Sequence, residues 1–409
     1  MDQKEIVLRH LRDEDIIDLA KELVKIPSFT TKETPAARFL ADYMKKHGIE
    51  TEFQEVEKDR LQVIGRMSGA GKGRSLMLNG HIDIDPIKEA WHGDPFTPLI
   101  EGNRLYGAGI HNMKSGLAAM VSAAVAIRRA GIKLKGDLLI ACVVGELQGG
   151  LGTRHLLKRG VKTDMAVVPE PYSVRNIVTK SAGVAEMAIN TVGRSEHISR
   201  KQEGIDAIEK MIKVIGALDN TTFSGRRDPD LPDLPRLLVG SIIGGRSREH
   251  DLAGPYNVSD FCTILVDVRY PPGMTQEDVK RDIGQTLRRL AEEDPQLVFE
   301  IEMPPPAKFR ASRVEMPPMD VSKDEEIVQI VRRNHKLVTG QDVERVGAVP
   351  PYSYAGNDTA HLQRAGIRCC LYGPRGDPEE TEMHVRIDEM IICSKVLALT
   401  AIDVCNTKG

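Results

Sequence analysis

The strongest constraint on the fold is an alternation of helical and strand-like segments over residues 1–181, in which each strand-like run ends at or near an ionisable side chain. Asp13 to Ile26 and Pro35 to His47 carry apolar residues at helical spacing, one stopped by Pro27 and the other by Gly48. Apolar runs of strand length follow at Ser75 to Ile84, Asp137 to Val144 and Met165 to Val168. An Ala-rich helical stretch from Lys114 to Ala130 separates the first two. This pattern predicts an α/β domain with a mostly parallel sheet and helices on both faces. The runs end near His81, Glu146 and Glu170. Ligands of open α/β sheets gather outside the carboxyl ends of the strands, so these tips form a candidate site on placement alone.

From Ala182 the order changes. Strand Val184 to Val192, helix Ile205 to Leu218, strands Leu237 to Ile243 and Asn257 to Arg269, helix Gln276 to Glu292 and strand Leu297 to Glu302 follow one another. That order is the ferredoxin-like split motif. Thr275 with Asp278 three residues on resembles a capping box. An inserted α+β domain is expected over 182–303, between two parts of the α/β domain at 1–181 and 304–409. Met303-Pro-Pro-Pro-Ala reads as the linker, after which helix Lys323 to Val338, strand Arg368 to Tyr372 and helix Asp388 to Val404 resume the first domain. A chain of 409 residues accommodates two or three domains.

Lys+Arg number 56 and Asp+Glu 59, a net charge of −3 without a long block of one sign. A nucleic-acid or anionic-membrane partner therefore has no electrostatic footprint, and a small molecule or a protein is expected instead. The six cysteines fall mostly in apolar runs without CxxC spacing and read as reduced core thiols. Met1-Asp-Gln-Lys-Glu-Ile lacks the basic and apolar regions of a secretion signal. The longest uncharged apolar stretch, Gly116 to Ile127, is far short of the roughly 20 residues that span a bilayer. A cytoplasmic location is expected.

Asn79-Gly-His-Ile-Asp-Ile-Asp-Pro sets His81 and Asp83 two apart on one face of a strand end, where the carboxylate orients an imidazole that binds metal. Alone, a His at a strand end is more often a satisfied structural residue. Six further segments follow in order: Trp91-His-Gly-Asp-Pro-Phe, Gly107-Ala-Gly-Ile-His-Asn-Met-Lys-Ser-Gly, Gly145-Glu-Leu-Gln-Gly-Gly, Pro169-Glu-Pro, Gly193-Arg-Ser-Glu-His, and Met383-His-Val-Arg-Ile-Asp-Glu. The series resembles the co-catalytic zinc hydrolases that include aminoacylases, acetylornithine deacetylases, succinyl-diaminopimelate desuccinylases and glutamate carboxypeptidases. The likeness spans essentially the whole chain, including the inserted lid or dimerisation domain. It implies His81 and Glu170 as ligands of one metal, His384 as ligand of another, Glu146 as general base and Asp83 as orienter of His81. It also implies that His197 on the lid reaches a neighbouring subunit's site to stabilise the oxyanion, and that Asn257 and Arg269 contact a substrate carboxylate. For Arg269 a structural salt bridge is the competing reading.

Two positions depart from the family pattern. Asn112 stands where a bridging Asp is expected, with Ala108 replacing an Arg in the same segment, and Leu147 stands where a metal-binding carboxylate follows the base. Two dications about 3.5 Å apart repel by about 15–20 kcal/mol at an effective dielectric of 20. Of the three carboxylates that offset this in the family, Glu170 remains, so one Zn or Mn per chain is expected, held by His81, Glu170 and the Asn112 oxygen, with His111 or His384 completing the set.

His111 is either a replacement ligand or a neighbour pointing away; His92 and His361 read as surface or supporting residues; Glu209, Lys210 and Lys213 read as a solvated helix face. The function expected is metal-dependent hydrolysis of a C–N bond in a small carboxylated substrate. A catalytically inactive, ligand-binding or scaffolding relative and an aminohydrolase of an activated aromatic amine are the alternatives. A homodimer through the inserted domain is expected, because an edge strand and its adjoining helix offer a self-complementary surface.

Overall fold

The computed structural model describes residues 2–87, 91, 93–252, 254–309, 316–377 and 383–408. The chain divides into two compact units, the first comprising 1–180, 319–353 and 357–409, the second 181–318 and 354–356. The chain thus returns at Met319, and the Pro-rich segment after Met303 lies inside the second unit.

An eight-stranded sheet organises the first unit, in the order Glu50–Glu57, Arg60–Met67, Leu138–Val143, Leu76–His81, Met165–Val168, Arg368–Leu371, Asn176–Val178, Arg345–Gly347. Its four central strands run parallel. They are short apolar runs buried on both faces, the pattern that a sheet covered by helices on both sides demands. Leu76 and Leu78 pack into one core with the helices Ser115–Arg129 and Ile387–Asn406. Met77 points the other way, joining Leu156, Ala360 and Leu362 of the helices Leu151–Lys158 and Thr359–Arg364. Truncating one of these side chains, such as Leu78 to Ala, costs about 2–5 kcal/mol. All six cysteines are buried and free.

The second unit is a four-stranded antiparallel sheet in the order Arg236–Gly245, Phe261–Tyr270, Gly183–Val192, Val298–Glu302, with helices Ala207–Leu218 and Gln276–Glu293 packed on its core. This is the ferredoxin-like order. Thr275 and Asp278 form the capping box in full. The third strand of the motif starts at Phe261, because Asn257 is drawn into an isolated bridge with His197. Lys210 and Lys213 correct one expectation: Lys210 is buried, and both ammonium groups grip Asp294, at 2.7 and 2.6 Å. Among the described residues no helix is long and apolar enough to cross a membrane.

Candidate active site

Strands Leu76–His81 and Leu138–Val143 are parallel neighbours with His81 opposite Val143, so both release the chain at one edge of the sheet. The second chain turns into Glu146 through Gly145, whose φ of 68° is left-handed and suits glycine. Asp83 ties the two exits together: its Oδ1 accepts the N–H of Glu146 at 3.1 Å and its Oδ2 that of Leu147 at 3.0 Å. The same residue fixes His81, whose Nδ1 lies 2.9 Å from the Asp83 carbonyl oxygen and 3.5 Å from Oδ1.

An Nδ1 facing a carbonyl must donate to it, which leaves Nε2 of a neutral ring with a lone pair. That nitrogen faces two more oxygens, Asn112 Oδ1 at 3.0 Å and Glu170 Oε1 at 3.6 Å. A second proton or a cation is needed between them. Burial works against a charge on His81, yet Glu170, Asp83 and Glu146 outweigh it and hold the imidazole well above its usual range. Burial, with repulsion from Glu146 and Asp83, pushes Glu170 up to about 7 despite His81. On Asp83 burial is outweighed by His81 and the two backbone N–H groups, so its carboxyl lies below the usual range.

His384 occupies a different setting. It begins a short strand, His384–Arg386, paired with Arg104–Tyr106, and its ring lies 5.2 Å from that of Tyr106. Its Nε2 accepts the backbone N–H of Asp377 at 2.8 Å. His111 is half-buried with its ring on the His384 backbone; burial and the nearby Arg375 lower it to about 4. His361 is buried, with Nε2 3.0 Å from the Gly149 carbonyl, and His92 lies outside the described residues.

The first unit therefore brings together His81, Asp83, Asn112, Glu146 and Glu170. His197, Asn257 and Arg269 all lie in the second. There the exposed His197 has its Nδ1 2.8 Å from the Ser199 hydroxyl and its ring 5.8 Å from that of Tyr256. Arg269 forks onto Asp267 at 2.6 and 2.9 Å, the salt bridge that was its competing reading.

Two residues escaped the sequence reading. Asp358 is 1% exposed, and burial together with Glu146 drives its carboxyl well above the usual range. Arg375 follows strand Arg368–Leu371, which runs parallel to Met165–Val168 and ends at the same edge. Applying the strand-tip rule to this fourth strand is the signal that finds it.

The donor set would suit a cation. Asp83, Glu146, Glu170 and Asp358 are four buried carboxyl groups around one imidazole, and a divalent ion there would offset the charge they carry. The second position of a metal pair is not matched. Asn112 is neutral, Leu147 apolar, and the His384 Nε2 is satisfied by Asp377. Among the described residues no three His, Cys, Asp or Glu side chains form a ready-made ligand group.

Across 97% of its length and 96% of the relative's, the chain is 28% identical to the N-formyl-4-amino-5-aminomethyl-2-methylpyrimidine deformylase of Bacillus subtilis (strain 168). It is 26% identical to the acetylornithine deacetylase of Salmonella typhimurium (strain LT2), over 78% of this chain and 81% of that one. The fold matches that of the Bacillus subtilis YXEP protein, a dinuclear metal-binding peptidase, with a TM-score of 0.66 and 17% identity over 97% of this chain and 99% of that one. The model of the peptidase family M20/M25/M40 matches residues 77–403. By that match the chain belongs to this family of metal-dependent hydrolases.

Proposed function

We propose that the protein hydrolyses an amide bond in a small carboxylated substrate, using one divalent cation, Zn or Mn, at His81, Glu170 and Asn112. The observation that carries this reading is the His81 Nε2 set against the oxygens of Asn112 and Glu170, with Asp83 fixing the ring from behind. Such a cation supplies polarisation of the scissile carbonyl and a lowered pKa of water. Glu146, held by its backbone N–H on Asp83, takes a proton from the attacking water and returns it to the leaving amine. Asp83 positions both His81 and Glu146, so one carboxylate sets their spacing. The deformylase and the deacetylase to which the chain is similar support removal of an acyl group from nitrogen.

The test is a screen of N-formyl and N-acetyl amines and amino acids with purified protein and added Zn²⁺ or Mn²⁺, followed by Glu146→Gln. The variant is expected to fold and bind metal while losing about 10²- to 10⁴-fold in turnover. Unchanged turnover in that variant sinks the mechanism. A wild type that takes up no metal and turns over nothing favours the inactive, ligand-binding alternative.

In the second unit, His197 is proposed to stabilise the oxyanion in the site of a partner subunit, with Asn257 beside it. A homodimer through this unit is supported by exposed apolar residues on its edge strand and adjoining helix.

A further inference from the structure

The half of the site that carries His384 is electrostatically inverted. The segment Gly373–Gly376 crosses from one half to the other, packed too closely for a side chain at either end. A Cβ on Gly373 would lie 2.3 Å from the Pro169 carbonyl oxygen, and one on Gly376 2.9 Å from His384 Nε2. Arg375 therefore sits between the strand tip of Glu170 and the ring of His384. Its guanidinium carbon lies over the Tyr352 ring, 3.4 Å from the centroid. Among the described residues its guanidinium donates from Nη1 to the Pro171 carbonyl at 3.2 Å. Nε is buried and unpartnered among the described residues, and no carboxylate there lies within ion-pair distance. Its neighbours differ: Arg104 and Arg386 both pair with Asp377. Among the described residues the nearest carboxylate influence is Glu389, which accepts the Arg375 backbone N–H at 2.9 Å, and burial lowers the basicity of the guanidinium despite it.

We propose that Arg375 anchors the carboxylate of the substrate, taking up an anion in the half of the site where Asn112 and Leu147 replace the carboxylates that would hold a second metal. A rigid, stacked guanidinium presents a fork of donors that matches a carboxylate in two parallel hydrogen bonds. The site binds an anion irrespective of turnover; its assignment to the substrate rests on the hydrolase reading above.

The experiment titrates the metal-loaded full chain with glutarate and with neutral pentane-1,5-diol by calorimetry. Wild type is expected to bind glutarate and not the diol. Arg375→Gln is expected to weaken glutarate about tenfold or more, with Arg375→Lys in between. Tyr352→Leu keeps the charge and removes the stacking surface. It is expected to weaken glutarate about threefold or more, and it carries the test should Arg375→Gln not fold. Absence of glutarate binding by wild type, equal binding by wild type and Arg375→Gln, or loss on Arg269→Gln alone overturns the assignment. Arg375-dependent glutarate binding by a protein that hydrolyses no N-acyl amine leaves this site standing and overturns the hydrolase reading. Turnover without Arg375-dependent binding does the reverse.

Discussion

At residue 112 an amide oxygen stands where a carboxylate would carry a full charge in the same volume, and at 147 a leucine stands next to the proposed base. Exchanging both, Asn112→Asp with Leu147→Glu, takes the charge of the metal-facing ligands from −1 to −3. That is enough to offset most of the dication repulsion of about 15–20 kcal/mol. Metal counted by mass spectrometry is expected to rise from about one toward two per chain. Each single exchange should do less, since groups sharing one site do not act additively. Two metals at full occupancy in wild type would falsify the charge argument. His81, Asp83, Glu146 and Glu170 were legible in the sequence because each follows a strand whose apolar run announces itself. Arg375 and Asp358 were not, since their meaning comes from burial and neighbours far away in sequence: Tyr352 for one, Glu146 for the other.

Elements with strong periodicity were readable to within a few residues. Helix Gln276–Glu293 is an example, its start fixed by the Thr275–Asp278 capping box. The hairpin Glu50–Glu57 with Arg60–Met67 was not read, because its first strand is mostly exposed and polar and shows no alternation. Lys210 was misread for a related reason: helical spacing cannot reveal that Asp294, 84 residues on, waits at the end of the next helix. That contact has a pH signature. The hydrogen bond from Lys210, then that from Lys213, holds the Asp294 carboxyl down at about 2. An unfolded Asp titrates near about 4, so the pair's contribution is present above that pH and is lost as pH falls from about 4 to about 2. Asp294→Asn is expected to destabilise the protein by about 1 kcal/mol at pH 6, the value of a partly screened pair. Urea midpoints of variant and wild type should converge between pH 4 and pH 2. A gap of constant size down to pH 2 removes the ion pair as its cause.

At the scale of the whole molecule, the strand Arg236–Gly245 is the edge of its sheet among the described residues, with Ile242 exposed on it. Ile242 pairs across from Ile264 on the helix-bearing face, where Ile208 of helix Ala207–Leu218 lies over the strand end at Gly244 and Ile212 is 62% exposed. An exposed edge continuous with an apolar helix face invites pairing, and a two-fold axis lets a second copy satisfy both at once. Ile212→Glu with Ile242→Lys is expected to give a monomer in sedimentation at micromolar concentration, where wild type is expected to be a dimer. The same dimer makes the proposed role of His197 testable without knowing the substrate's binding mode. Glu146→Ala and His197→Ala chains are each expected to be inactive as homodimers. After subunit exchange about half the dimers are mixed. In each of these, one site keeps its own Glu146 and receives the partner's His197, so activity should return to about a quarter of the wild-type rate. Mixtures that never exceed the sum of their parents, under conditions where mass spectrometry shows mixed dimers, confine His197 to its own chain and leave the dimer without a part in the chemistry.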